Sequence, residues 1–486
     1  MKKQTMLMVM MALTIVLSGC AKTESTNTPA SQVSKTENPN SAADMDKGGV
    51  KKNVVDTSGN GNIETINIKV MTPDVSAPAR ANNFIEAANS LNEKLEKENS
   101  KQRVQVEAIV KSVKDDEFKQ QFIFASKSDN ANDIYATGYS NIGWMANGDY
   151  LLPLTGIEKE PVFQNQMPGY WDAVSWNKQV WGVIQDTEAR PIFFNKNVLK
   201  KLGWTDQQIA DLPKKSENGE FTLADMTDLA KKAVDSKVVN SGLMLTAGGK
   251  DLPVIFFNHG TEVYDASQGK YVLDKSHLKT TFEYLNNAVS QGMLSKGFVS
   301  ESKDDMLKTL INDEGLFLQA GVWDEAKWRT RGMHKVTGNV TSEYVMNNIG
   351  AMVMPVANKD QKPVTVSNPW VYVVSKDTKY PDLVKRLLVE VSAPKLQAEH
   401  GLQSSHIPFT KEGQQYETVK KDPWLNYVSY LTQYSKFMPN DPNEPKFEKI
   451  MKDATQNVVS GSMTTDEAVD WMGKQMKIDL GEVIEK

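Results

Sequence analysis

Three ionisable side chains alternate at Asp186, Glu188 and Arg190, so an extended segment there would send all three to one face. Carboxylates and a guanidinium on a shared face can bridge neighbouring hydroxyls of a ligand. An Asp–Arg ion pair bracing the local backbone is the other reading of the same residues. Flat aromatic rings would complement such a set, covering apolar C–H faces while the polar groups take the hydroxyls. The chain has ten tryptophans, several at predicted loop or strand ends. Trp323 ends the apolar run from Gly315 after a glycine, and Trp370 sits in an Asn368-Pro369-Trp370 turn that feeds Val371-Tyr372-Val373-Val374. Both are candidate stacking platforms, with packing as the alternative. Trp328 could share a wall with Trp323 or lie on a surface helix, whereas Trp471 lies on a helical stripe and reads as core. Thr137 and Tyr139, beyond the end of a strand, join the candidate set. Lys250 and Asp251 follow Gly248-Gly249 and read as a surface loop, with ligand contact as the alternative.

Catalytic chemistry is not called for. The five histidines, His259, His277, His334, His400 and His406, are scattered without an HxxxH pair. No metal site is therefore expected from spacing. There is no GxxxxGK[ST] phosphate loop, no GxGxxG and no GxSxG elbow, so no cofactor and no catalytic residue is assigned. Neighbouring carboxylates such as Asp115 with Asp116 or Asp304 with Asp305 read as solvated charges near helix ends. A formal charge of −5 without basic clusters argues against nucleic acid, whose binding needs grouped Lys and Arg.

Cys20 is the single cysteine, and it closes Leu17-Ser18-Gly19-Cys20 after Lys2, Lys3 and an apolar stretch from Met6 to Leu17. A basic start, a short apolar run and small residues are secretory signal architecture, and the run is too short to span a bilayer. The ending resembles a bacterial lipobox. That resemblance implies removal of residues 1–19, lipidation of Cys20 and an extracytoplasmic protein anchored to the cell membrane. Residues from Ala21 to about Asn62 are rich in Ser, Thr, Asn, Lys, Pro and Gly, without Phe, Tyr, Trp, Leu or Ile. Such a segment cannot bury enough apolar area to offset chain ordering. Residues 20–62 are thus expected to be the lipidated cysteine and a disordered tether.

Ile66, Ile68 and Val70 alternate as a strand; Phe84, Ala88, Leu91 and Leu95 mark a helix; Val104, Val106, Ala108 and Val110 alternate again. Phe118, Phe122 and Ala125 give a second helix before the strand at Asp133-Ile134-Tyr135-Ala136. This order is the α/β signature of a mainly parallel sheet, with ligands beyond the carboxyl ends of its strands. The middle of the chain reads as more helical. Thr222 to Asp225 and Thr464 to Glu467 form capping boxes, and Pro439 to Pro445 reads as a stiff turn rather than a domain linker. A body of about 420 residues argues for two domains.

The order of these motifs resembles the extracellular solute-binding proteins of ABC importers, in the group that binds sugars and oligosaccharides. Trp181-Gly182-Val183-Ile184-Gln185-Asp186-Thr187-Glu188-Ala189-Arg190 followed by Phe193-Phe194-Asn195-Lys196 carries it most, with Ile184 where the family commonly has proline and phenylalanines for its tyrosines. Phe221-Thr222-Leu223-Ala224-Asp225, Gly315 to Trp323, Phe437-Met438-Pro439-Asn440 and Thr465-Asp466-Glu467-Ala468 fit it in order. The resemblance implies two α/β lobes hinged around a central ligand cleft. One lobe would hold residues 63–192 plus 358–402 and the other 193–354 plus 408–486, with crossings near 191–195, 354–358 and 402–408. It implies a ligand-binding set of Thr137, Tyr139, Asp186, Glu188, Arg190, Trp323 and Trp370, with Asp186 to Arg190 lining the cleft just before a hinge. It also implies a carbohydrate ligand, ABC permease transmembrane subunits as partners and a monomer. Alternatives are a binding protein for a non-sugar solute (peptide, polyamine or charged small molecule) and a tethered carbohydrate-active enzyme.

Overall fold

Ten strands build the two larger sheets of the computed structural model, which describes residues 49–55, 62–73, 79–113, 115–167 and 169–486. The signal segment, Cys20 and most of the expected tether lie outside these residues. The strands are β1 (Gly49–Lys52), β2 (Glu64–Thr72), β3 (Gln102–Val110), β4 (Ile134–Gly138), β5 (Gly182–Ile184), β6 (Ile192–Asn195), β7 (Ser241–Met244), β8 (Gly315–Gln319), β9 (Ile349–Met352) and β10 (Trp370–Val374). Helices used below are α1 (Ala79–Lys97), α2 (Asp115–Lys127), α3 (Leu223–Asp235), α4 (Pro394–Ser404), α5 (Glu444–Ser460) and α6 (Thr465–Asp479).

The first sheet has the order β1-β3-β2-β4-β10-β5. β2 runs parallel to β3 and β4, as the strand–helix alternation predicts. The sheet as a whole is mixed rather than mainly parallel, because β10 arrives from far along the chain and lies antiparallel to both β4 and β5. Ile66, Ile68 and Val70 of β2 are buried while Asn67 and Lys69 face out, the alternation of a half-buried strand. On α1 the predicted stripe of Phe84, Ala88, Leu91 and Leu95 is fully buried against this sheet. Burial of a side chain the size of Phe84 or Leu91 contributes about 1.5–3 kcal/mol.

β1 corrects the expected extent of the tether. Residues 49–52 pair antiparallel with β3, and the Asn53 side chain donates to Val104 O and accepts from Val106 N. Pairing of this kind uses backbone groups, so a polar sequence can supply an edge strand without an apolar pattern.

The second sheet has the order β9-β6-β8-β7, with β6 antiparallel to β8 and β9. β6, β8 and β9 are buried at every position. A strand covered on both faces shows no alternation, which is why the middle of the chain reads as more helical than it is. Both predicted capping boxes form, at the starts of α3 and α6, with reciprocal bonds between Thr222 and Asp225 and between Thr464 and Glu467. Separate apolar cores surround the two sheets, and a third gathers Phe193, Trp328, Ala398, Trp424 and Val428. Trp328 is fully buried in that core with Nε1 donating to Leu307 O, so it is neither a cleft wall nor a surface residue. Trp471 is partly buried against the core of the second sheet. This is an α/β fold of two-lobed, periplasmic-binding-protein architecture.

Candidate functional site

Strand register brings the candidates to one end of the first sheet. Trp370 pairs with Gly138 and Val371 with Ile184. Thr137, which lies within β4 and not past its end, Trp370 and the start of the 185–190 segment therefore converge at the carboxyl ends of β4 and β5. In the second sheet Ile192 lies opposite both Gln319 and Met352, so the loop carrying Trp323 leaves β8 where β6 begins.

The segment joining β5 to β6 carries a buried charge network. Asp186, 1 % exposed, accepts from Arg80 Nη2 at 2.6 Å, from His400 Nε2 at 2.9 Å and from Trp370 N at 3.1 Å. Glu188 pairs with Arg190 Nη1 at 2.6 Å and accepts from Asn368 N. Arg190 also donates from Nε to Asp251 Oδ1 at 2.6 Å and from Nη1 to Val366 O. Asp251 in turn meets Lys303 and Thr246. Burial pushes the Asp186 carboxyl up, but the facing His406, Arg80 and His400 outweigh it and hold Asp186 well below the usual carboxylate range. Burial wins at Glu188, whose pKa is raised despite Arg190. Arg190 is raised, because Glu188 and Asp251 together exceed its own desolvation. Burial lowers His406. Each of the three alternating residues already has a protein partner, Asp186 with Arg80 and Arg190 with Glu188 and Asp251, and Asp186 and Arg190 do not pair with each other.

The aromatic candidates divide. Trp370 lines a cavity of ≈ 170 Å³ with Thr137, Ser140, Asn141, Asn368 and Lys111, and the Arg80 guanidinium lies 5.0 Å from its ring centre. Thr137 Oγ1 accepts from Asn141 Nδ2. The shielded Asn368 Oδ1 has no hydrogen-bond partner among the described residues, so it is an acceptor in need of a donor. Trp323 stands elsewhere: its ring stacks on His406 at 5.6 Å and 10°, with Arg190 and Lys303 at 4.9 and 5.6 Å from its centre. Tyr139 is fully buried, its hydroxyl donating to Met438 O at 3.1 Å and its ring meeting Phe437 edge-on; burial raises its pKa well above the ordinary value.

Lys250 and Asp251 are buried, not a surface loop, since Lys250 pairs with Glu444 and Glu448. Sequence reasoning missed Arg80, Asn141 and Asn368, whose side chains belong to no periodic pattern. It also missed the meeting of His400 and His406 with Asp186, which only the tertiary fold produces. Residues 437–440 are more than a stiff turn. Asn440 donates to Ala173 O and accepts from Gly143 N, while Met438 packs in the core of the second sheet.

A cavity lined by an indole, two amides and two hydroxyls beside Met71, Val113 and Phe118 can hold a hydroxylated solute. A glycosidase would instead need two carboxyl groups facing across a gap of about 5–10 Å, whereas Asp186 and Glu188 are enclosed in ion pairs.

Residues 81–398 match the bacterial extracellular solute-binding protein family. The chain belongs to that family, whose members bind solutes rather than transform them. No curated protein sequence matches the chain. Among solved structures it is similar to the GacH receptor of Streptomyces glaucescens, solved unliganded and with acarbose. That match has a TM-score of 0.68 at 15% identity and covers 87% of this chain and 100% of the receptor. It is similar to the cyclic α-maltosyl-1,6-maltose binding protein of Arthrobacter globiformis, with a TM-score of 0.67 at 14% identity over 86% of this chain and 100% of that one. A solute-binding protein from Thermotoga lettingae bound with α-D-tagatose has a TM-score of 0.62 at 15% identity, covering 86% and 100% of the two chains. At such identities the likeness establishes the fold.

Proposed function

We propose that this chain is the substrate-binding subunit of an ABC importer, capturing a sugar or oligosaccharide outside the cell and delivering it to the permease's transmembrane subunits. The observation that carries the reading is the cavity at the end of β4, whose lining brings together Trp370, Thr137, Asn141 and Asn368. Rings for C–H faces and amides for hydroxyls are what a sugar requires. The acarbose, cyclic maltosyl-maltose and tagatose ligands of the structural relatives support the same class. In this reading the lobes are residues 63–192 plus 358–402 and 193–354 plus 408–486, the body is a monomer, and a lipidated Cys20 moors it outside the membrane. Thr137 and Trp370 would touch ligand, whereas Asp186, Glu188 and Arg190 would brace the crossing beside it.

A thermal-shift screen of mono- and oligosaccharides tests the reading. Stabilisation by at least one neutral sugar is the expected result, by RT ln(1 + [L]/Kd). A protein that responds to no sugar but to a peptide, polyamine or acidic solute would move the assignment to that ligand class.

A further inference from the structure

We propose that Asp186, His400 and His406 form a binding site for one divalent transition-metal ion of the zinc class. Their donor atoms lie within 4.8 Å of one another, although the residues come from the β5–β6 connection, from α4 and from the segment after it. Two imidazoles and a carboxylate are zinc-type ligands, and bonds of about 2.0–2.1 Å in a tetrahedron need donors roughly 3.3 Å apart.

The hydrogen bonding around the histidines prepares them for a cation. His406 Nδ1 lies 3.1 Å from Ser404 O, an acceptor only, so the neutral ring carries its proton on Nδ1 and presents the Nε2 lone pair. That nitrogen lies 3.8 Å from Glu188 Oε2 and beside Asp186. A positive charge between that nitrogen and the two carboxylates is favourable, and a metal ion can take the place of a proton there. A backbone carbonyl that fixes one imidazole nitrogen while the other binds is the common arrangement around metal-ligating histidine. The His406 ring is held in place by stacking on Trp323. His400 Nε2 sits 2.9 Å from Asp186 Oδ2 and 3.1 Å from Ser404 Oγ, and its buried Nδ1 has no partner among the described residues. Transfer of the ring proton to Nδ1 would free Nε2 for the ion.

Arg80 is the opposing cation, 2.6 Å from Asp186 Oδ2. The same Oδ2 meets His400 Nε2, so the guanidinium shares the ligand oxygen with the ion, and Glu188 supplies the second negative charge nearby. Binding would link the segment leaving the first sheet to the one that follows α4.

The test is titration of chelator-treated, full-length protein with Co²⁺ and then Zn²⁺, without sugar, so its outcome is independent of the ligand reading above. One equivalent of Co²⁺ should develop the visible absorption of a tetrahedral nitrogen–oxygen site, and Zn²⁺ should displace it. His400→Ala and His406→Ala should each lower affinity at least about tenfold, while His277→Ala should not. Circular dichroism verifies folding, and His406→Gln replaces any alanine variant that fails to fold. Absence of saturable one-to-one uptake, or uptake equal in wild type and both site variants, would overturn the proposal.

Discussion

Asp186 takes hydrogen bonds from Arg80, His400 and the Trp370 backbone in a place without water access. Asp186→Asn removes the charge while keeping the shape, so the guanidinium faces a neutral amide. Breaking a buried pair costs about 3–5 kcal/mol, and urea denaturation should register a loss of that order; a loss below about 1 kcal/mol would show that the pair does not brace the crossing. The sign with pH follows from the same shift. A carboxyl held below its ordinary value contributes stability that is present at neutral pH and is lost as pH falls through its depressed folded value. Trp370 and Trp323 make contrasting predictions. Trp370→Ala should weaken sugar binding by about 1–3 kcal/mol with little change in folding. Trp323→Ala should act mainly on stability, because its ring already packs on His406. None of this was legible in the sequence beyond the residue types: alternation put Asp186, Glu188 and Arg190 on one face, but whether that face met ligand or countercharge depended on Arg80 and Asp251.

Among the elements, those with one wet face were readable from period, whereas the buried β4 and β8 were readable only as short apolar runs. β2, α1 and β3 carry alternation or a helical stripe because water touches one side of them. β6, β8 and β9 are buried throughout, so their sequences are short apolar runs, with Asn195 and Gln319 as buried polar ends of β6 and β8. β1 had no signal, because backbone pairing and one asparagine side chain hold it. Helix α5 makes the pH prediction at this scale. Glu444 opens it, fully buried beside Lys250, which it shares with Glu448. Burial pushes the Glu444 carboxyl up to about 7, above its ordinary 4.5. A raised folded value means that folding is favoured by the proton, so this contribution is complete below 4.5 and is lost as pH rises through about 7. Glu444→Gln should therefore flatten the fall in stability between those values, measured by thermal denaturation at each pH. An unchanged slope would show that Glu444 titrates normally.

At the scale of the whole molecule, the lipobox-like ending and the composition after it speak of export and mooring, while the paired sheets speak of solute capture. Cys20→Ser should release the protein from the membrane fraction in a producing bacterium without altering the body's melting temperature; retention on the membrane would remove the lipid anchor from the account. The α/β plan was legible from the alternation of strands and helices, and the family from motif order, which the match over residues 81–398 bears out. The contacts of residues 437–440 were not, because a Pro-Asn-Asp-Pro sequence looks alike whether it turns at a surface or packs between cores. Calorimetric titration of wild type and Trp370→Ala with the most stabilising sugar bears most directly on the cavity beside β4. Saturable one-to-one binding, weakened about tenfold or more in the variant, is the predicted result. Equal affinity in the two proteins, or no heat from any sugar, would contradict it.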